Sequence, residues 1–154
     1  MSRGVIDQSM NYLAEVHSTY GTLRDMSANI TCAASATKIA LQNFSGNGCS
    51  KSSNGIKVNK AGVYEISATI YMGQNYQSND IVHVLLYVNS TAVAHFQEKT
   101  FNTAMWSTFS TDRVIVNLSA NDVVYLYAYN QGGAMSQLAT SNTSTTSLTL
   151  NRIA

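Results

Sequence analysis

Two stretches of this chain are apolar on both of the faces that a β-strand presents, and this pattern constrains the fold more than any other feature. Successive side chains in a strand point to opposite sides, so a strand between core and water alternates apolar with polar. The run Ile81-Val82-His83-Val84-Leu85-Leu86-Tyr87-Val88 does not. Val82, Val84, Leu86 and Val88 make one aliphatic face, while Ile81, His83, Leu85 and Tyr87 make a second that is also mostly apolar. Val123-Val124-Tyr125-Leu126-Tyr127-Ala128-Tyr129 repeats the design. Val124, Leu126 and Ala128 point one way; Val123, Tyr125, Tyr127 and Tyr129 point the other. Short runs of β-branched and aromatic residues bounded by turn residues read as strands.

Much of the remaining chain has the same period of two. In Val63 to Met72, Tyr64, Ile66, Ala68, Ile70 and Met72 line one face against Glu65, Ser67 and Thr69, which is a half-buried strand. Val114, Val116 and Leu118 alternate with Arg113, Ile115 and Asn117, and Ser119-Ala120-Asn121-Asp122 is a turn. Shorter strands are predicted at Ile39 to Leu41, at Ile56 to Val58 and from Thr146 to Ile153, where Leu148 and Leu150 share a face. Residues 73–79 and 130–145 read as polar loops. Proline is absent, so every backbone N–H is free to join a ladder. About seven or eight strands with no helix between them predict an all-β, two-sheet sandwich over residues 29–154.

The first 28 residues differ. Ile6, Met10, Leu13, His17, Tyr20 and Leu23 recur at helical spacing, Asp7 suits a helix start and Gly21 suits its end. A short helical arm is predicted over residues 1–28. Three turns of helix are marginal alone, so the arm packs either on its own domain or on a partner, through Ile6, Met10, Leu13 and Tyr20.

Composition narrows the function classes. Hydrophobic residues are 45% of the 154, enough for a real core. Charged residues are 11%, less than half the usual share of about 25%, and the net charge is +1. Nothing in that balance attracts nucleic acid or anionic lipid. No run approaches the roughly 20 apolar residues that span a bilayer, and the N-terminus lacks a signal-peptide pattern, so export by the general secretory route is not expected. Cys32 and Cys49 make no disulfide framework. They could form one bridge under oxidising conditions, but two buried free thiols is the favoured reading.

Reactive constellations were sought. A metal site needs several converging ligands, and the one close His/acid pair, His95 and Glu98, falls on opposite faces of a strand. No nucleophile elbow, Cys/His pair, glycosidase carboxylate pair or phosphate loop is recognisable. No catalytic residue, metal or cofactor is expected, and the chain does not read as an enzyme. His83 reads as a satisfied core or interface histidine, with a pH-sensitive contact as the alternative. Trp106 reads as a buried anchor at a sheet end, with sugar stacking as its alternative.

The two double-faced strands then point to self-association. Leaving Ile81, His83, Leu85, Tyr87, Val123, Tyr125, Tyr127 and Tyr129 in water forfeits about 1.5–3 kcal/mol for each large apolar side chain among them that could be buried. It also leaves a contiguous sticky patch. A symmetric oligomer with that face against its copies is the economical solution, and cover by the N-terminal arm is the intramolecular alternative.

Four segments carry a family resemblance. Gly62-Val63-Tyr64-Glu65-Ile66-Ser67, the strand from Val82 to Asn89, Leu118-Ser119-Ala120-Asn121-Asp122-Val123-Val124-Tyr125-Leu126, and Ser147-Leu148-Thr149-Leu150 together resemble a C1q/TNF-like domain over about residues 35–154. The resemblance implies a ten-stranded jelly roll assembled as a homotrimer, with Tyr125, Tyr127 and Tyr129 suited to the three-fold axis. The chain lacks the collagen-like stalk and signal peptide of the animal members. Its small size, low charge and richness in Asn, Ser and Thr resemble the phage and bacterial members, among them virion fibre and decoration proteins. The expectation is therefore a trimeric structural subunit of a phage virion, held to another virion protein by its N-terminal arm. The alternative is a fibre tip that binds a receptor or glycan through loops near residues 73–79, 100–108 and 130–145.

Overall fold

The computed structural model describes residues 18–26, 30–32, 34–72, 80–101, 107–131, 136–138 and 146–154. The strands among them are β1 (Tyr20–Met26), β2 (Ile30–Cys32), β3 (Thr37–Lys38), β4 (Leu41–Asn47) and β5 (Cys49–Ser52). There follow β6 (Gly55–Val58), β7 (Gly62–Met72), β8 (Asp80–Val88), β9 (Thr91–Phe101) and β10 (Ser107–Ser110). The last are β11 (Val114–Leu118), β12 (Val123–Asn130), β13 (Ser136–Leu138) and β14 (Ser147–Arg152).

Two six-stranded sheets face each other. One runs β10-β7-β14-β1-β4, with β11 also on β7; the other runs β5-β6-β12-β8-β9, with β3 also on β12. The pairing within both is antiparallel. Short β2 and β13 pair separately. The predicted two-sheet jelly-roll sandwich is what forms.

Alternation explains which residues meet in the middle. Tyr64, Ile66 and Ile70 of β7, Leu148 and Leu150 of β14, and Leu23 of β1 are fully buried. Opposite them lie Val82, Val84 and Leu86 of β8, Val124, Leu126 and Ala128 of β12, and Ile56 and Val58 of β6, also fully buried and part of the same core cluster. Tyr64 is the largest of these, and its hydroxyl donates to the Lys60 carbonyl at 2.8 Å, which satisfies the polar end of a ring otherwise sealed in the core. Burial, reinforced by Cys49 and opposed by Arg152, pushes the Tyr64 hydroxyl up to about 12.

The turn predicted at residues 119–122 is built around Asp122. Its carboxylate accepts from Ser119 N at 2.8 Å and from Asn89 Nδ2 at 2.9 Å, and Val123 N donates to Asn89 Oδ1 at 3.0 Å. The turn entering β12 is thereby tied to the turn leaving β8. Asn121 and Asn89 sit at φ 75° and 56°, the left-handed region that Asn tolerates better than most residues.

The N-terminal expectation needs correction. Residues 1–17 lie outside the described residues, so the predicted helix and its Ile6, Met10 and Leu13 are not placed. Tyr20 and Leu23 are not on a helix. They belong to β1, which lies between β14 and β4 and pairs with both, so the boundary at residue 28 falls too late. The cause is Gly21. Its missing side chain faces the second sheet, where a Cβ would lie 3.0 Å from Ile56 Cγ2 and 3.1 Å from the Cys49 Cβ. An inward position with no side chain erases the period of two, and Tyr20 and Leu23 then mimic a helical pair. The loop expected over residues 130–145 also contains β13, and β9 was not foreseen.

Cys32 and Cys49 are both buried and free, as favoured from sequence. Burial pushes the Cys32 thiol up to about 12 and the Cys49 thiol up to about 11.

Two outcomes are expected. Gly21→Val should overfill the gap between the sheets and cost about 1–3 kcal/mol in urea unfolding, whereas a change within error would contradict the close approach. The buried thiols keep their protons beyond the ordinary value of about 9, at which the unfolded chain releases them. Their contribution is therefore complete below about pH 9 and is lost as pH rises toward 11 to 12, with Tyr64 acting in the same direction. Melting temperature followed across that window should fall, and a rise would contradict the assignment.

Candidate functional site

The outer face of β8 and β12 is the surface singled out by the sequence. Because Val124, Leu126 and Ala128 point inward, Tyr125, Tyr127 and Tyr129 must point out. The antiparallel register then sets Tyr125 opposite Tyr87, Tyr127 opposite Leu85 and Tyr129 opposite His83. Ile81 and Val123 occupy the same face. The structure thus brings every predicted interface residue onto one surface.

Those side chains do not stand open to water as the sequence argument assumed. Ile81, Leu85, Tyr87, Val123, Tyr125, Tyr127 and Tyr129 are half-buried, and His83 is only 4% exposed. They cover one another. The Tyr87 and Tyr127 rings lie 4.1 Å apart between centroids, tilted by 33°. His83 stacks on Tyr129 at 4.4 Å with the rings within 2° of parallel. The Lys38 ammonium sits 3.7 Å above the Tyr125 ring and 5.6 Å from that of Tyr127, placed there because β3 pairs with β12 at Tyr127. Such a cation over a ring is worth about 0.5–1 kcal/mol at an exposed site.

At the other side of Tyr125, Gly55 of β6 lets the ring lie flat. A Cβ there would fall 2.6 Å from ring atoms of Tyr125 and 2.7 Å from the Val124 carbonyl. The result is a plate of stacked rings running from β6 across β12 to β8. A partner covering it removes from water only the half of each side chain still exposed, so the gain per residue is smaller than a fully exposed chain would give.

The plate ends at β9. His83 Nδ1 lies 3.0 Å from His95 Nε2, and His83 Nε2 lies 2.8 Å from Gln131 Oε1. Sequence reasoning treated His83 and His95 separately because they are 12 residues apart on neighbouring strands. A register shift makes the meeting possible. Val84 pairs with Gln97 and Leu85 with His95, which leaves Phe96 without a partner, and Phe96 is buried.

The outer face of the first sheet is different and was not foreseen as a surface. The register aligns Ser67 with Thr149, Thr149 with Thr22, and Thr22 with Ser45, a row of hydroxyls across four strands. The Thr22 and Thr149 hydroxyl oxygens are 3.4 Å apart. In the adjacent row Ile115 is 65% exposed and Tyr20 42%, the large apolar side chains left open on this face. Glu65 and Arg113 pair there at 3.2 Å, but with the arginine largely in solvent the bridge adds little.

Trp106, His17, residues 73–79 and most of the 130–145 segment lie outside the described residues. Among the described residues no three His, Cys, Asp or Glu gather into a metal cluster, and no helix is long and apolar enough to cross a membrane.

No family model matches the chain, and no curated protein does. Solved structures match well. Murine APRIL at pH 5.0 is 10% identical over 88% of this chain and 98% of its own, with a TM-score of 0.65. Eiger TNF from S. frugiperda is 11% identical over 88% and 92%, with a TM-score of 0.62. Murine APRIL at pH 8.5 is 12% identical over 88% and 98%, at 0.58. The fold is a TNF-like jelly roll. Identity this low carries the fold alone, and function has to come from the surfaces.

Gly55→Ala tests the plate. The added methyl must displace the Tyr125 ring, and the expected results are a loss of about 1–3 kcal/mol and a changed near-ultraviolet tyrosine signal. Unchanged stability together with an unchanged spectrum would contradict the flat packing.

Proposed function

We propose that this chain is a non-enzymatic, trimeric structural subunit of a phage virion, a head-decoration or fibre protein. Its copies meet through the aromatic face of β8 and β12, and its N-terminal segment attaches it to another virion protein. The observation that carries self-association is that face: a continuous plate of rings on one side of a TNF-like sandwich, flanked by few charges. Tyrosine suits the role, since its ring can be covered while its hydroxyl still reaches water or a neighbour. The virion setting is supported by the low-charge, proline-free, hydroxyl-rich composition that the phage members of the family share with this chain. Repetition of weak contacts through a symmetric trimer supplies the attachment strength.

A second reading is favoured by the Tyr87–Tyr127 pair. Two rings stacked in contact and partly open to solvent form a platform on which a sugar ring can lie, so the face could serve a glycan-binding tip. Solution mass separates the two readings, because a tip that binds sugar on this face must keep it free of its own copies.

Tyr127→Glu should convert a trimer to a monomer in sedimentation equilibrium, because a carboxylate would be forced against the apolar face of a neighbour. A wild-type monomer would overturn the proposal. A trimer that survives Tyr127→Glu but dissociates on Thr149→Arg would move the contact to the hydroxyl face of the first sheet. The attachment segment is tested by deleting residues 1–17, stopping short of β1 so that Leu23 keeps its place in the core. Loss of particle association with the trimer intact is expected, and unchanged association would refute the anchoring role.

A further inference from the structure

His83 and His95 are placed as a chelating pair, and nothing in the proposed assembly uses them. His83 is 4% exposed and its ring orientation is set on two sides: Tyr129 stacks on its face, and Gln131 Oε1 lies 2.8 Å from its Nε2. An amide oxygen only accepts, so Nε2 carries the proton and donates to it. That fixes the tautomer and leaves Nδ1 with a free lone pair, directed at His95 Nε2 3.0 Å away. A partner that holds one imidazole nitrogen so that the other is available to an ion is the usual second layer of a metal site.

The spacing selects the ion. Two nitrogens each about 2.0–2.1 Å from one ion and at right angles to each other lie roughly 2.9 Å apart, while tetrahedral angles need roughly 3.4 Å. The observed 3.0 Å fits the right angle. His95 is exposed, so an ion can reach the gap from solvent and water can fill its other positions. Without an ion the gap is closed by a proton, His95 Nε2–H donating to His83 Nδ1. When the ion enters, that proton moves to His95 Nδ1, and no net proton is lost from the neutral rings.

We propose that His83 Nδ1 and His95 Nε2 form a two-imidazole site for a first-row divalent ion of tetragonal preference, Cu(II) or Ni(II). With no third protein ligand among the described residues, binding is micromolar and serves to pin β9 to β8 beside the aromatic plate. The site lies within one chain and does not depend on how copies assemble.

Calorimetric titration of the full chain with copper or nickel chloride should show one ion per chain, and the copper form should give a tetragonal spin-resonance spectrum split by two imidazole nitrogens. His95→Ala should weaken binding by at least about tenfold, and Gln131→Leu should also weaken it, by about 10–100-fold, by releasing the His83 tautomer. Both positions are exposed, so these variants keep the fold, whereas a change at buried His83 risks the fold. His17→Ala should leave binding unchanged. No saturable binding by the wild type, affinity retained in His95→Ala, or affinity lost in His17→Ala would each overturn the proposal.

Discussion

The pairing of β8 with β12 is the constraint on which the rest of the molecule depends. In an antiparallel ladder each residue that turns inward forces its neighbours outward, so the two faces of a strand pair are chosen together. The register that sets Val84 against Ala128, Leu86 against Leu126 and Val88 against Val124 also sets Tyr87 against Tyr125 and His83 against Tyr129. A slip of one residue would put every tyrosine in the core and every aliphatic residue in water. The core therefore positions the aromatic plate, and the plate, by stacking, adds stability to the pair that builds the core. Asp122 and Asn89 lock the same register from the turn end.

That coupling sets what the outer face can do. Stacking lowers the exposure of each ring, and Lys38 and Gly55 close the edges around Tyr125. A face that already covers itself in part gains less from a partner, but loses less side-chain freedom when one arrives, because its rotamers are held beforehand. The opposite sheet has the contrary character, with short hydroxyl side chains and two isolated apolar ones, Ile115 and Tyr20. A rigid aromatic plate on one sheet and a row of hydroxyls on the other give this sandwich two distinct surfaces.

How much of this was legible in the sequence depends on whether a position has a side chain to read. The inward faces of β7, β8 and β12 were evident because every inward position is apolar, and the turn at residues 119–122 was evident from its Asn and Asp. The aromatic face was legible for the same reason, although its self-covering was not, since stacking depends on cross-strand distance. Strand β1 was hidden by Gly21, whose inward position is empty. In β9 the unpaired Phe96 breaks the period of two, and the meeting of His83 with His95 follows from that shift rather than from any local motif. The resemblance in the short Gly-Val-Tyr and Asp-containing segments was a sound guide to architecture. A shared sandwich at about a tenth identity shows that the pattern of inward apolar positions, and not particular residues, preserves the fold.

The central claim is that sister copies cover the outer face of β8 and β12. Hydroxyl-radical footprinting of Tyr87 and Tyr127 over a range of protein concentrations addresses it without altering the sequence. The account predicts that oxidation of both rings slows as concentration rises, while Ile115 on the other sheet shows no such change. Oxidation rates at Tyr87 and Tyr127 that stay constant from dilute to concentrated solution would contradict it.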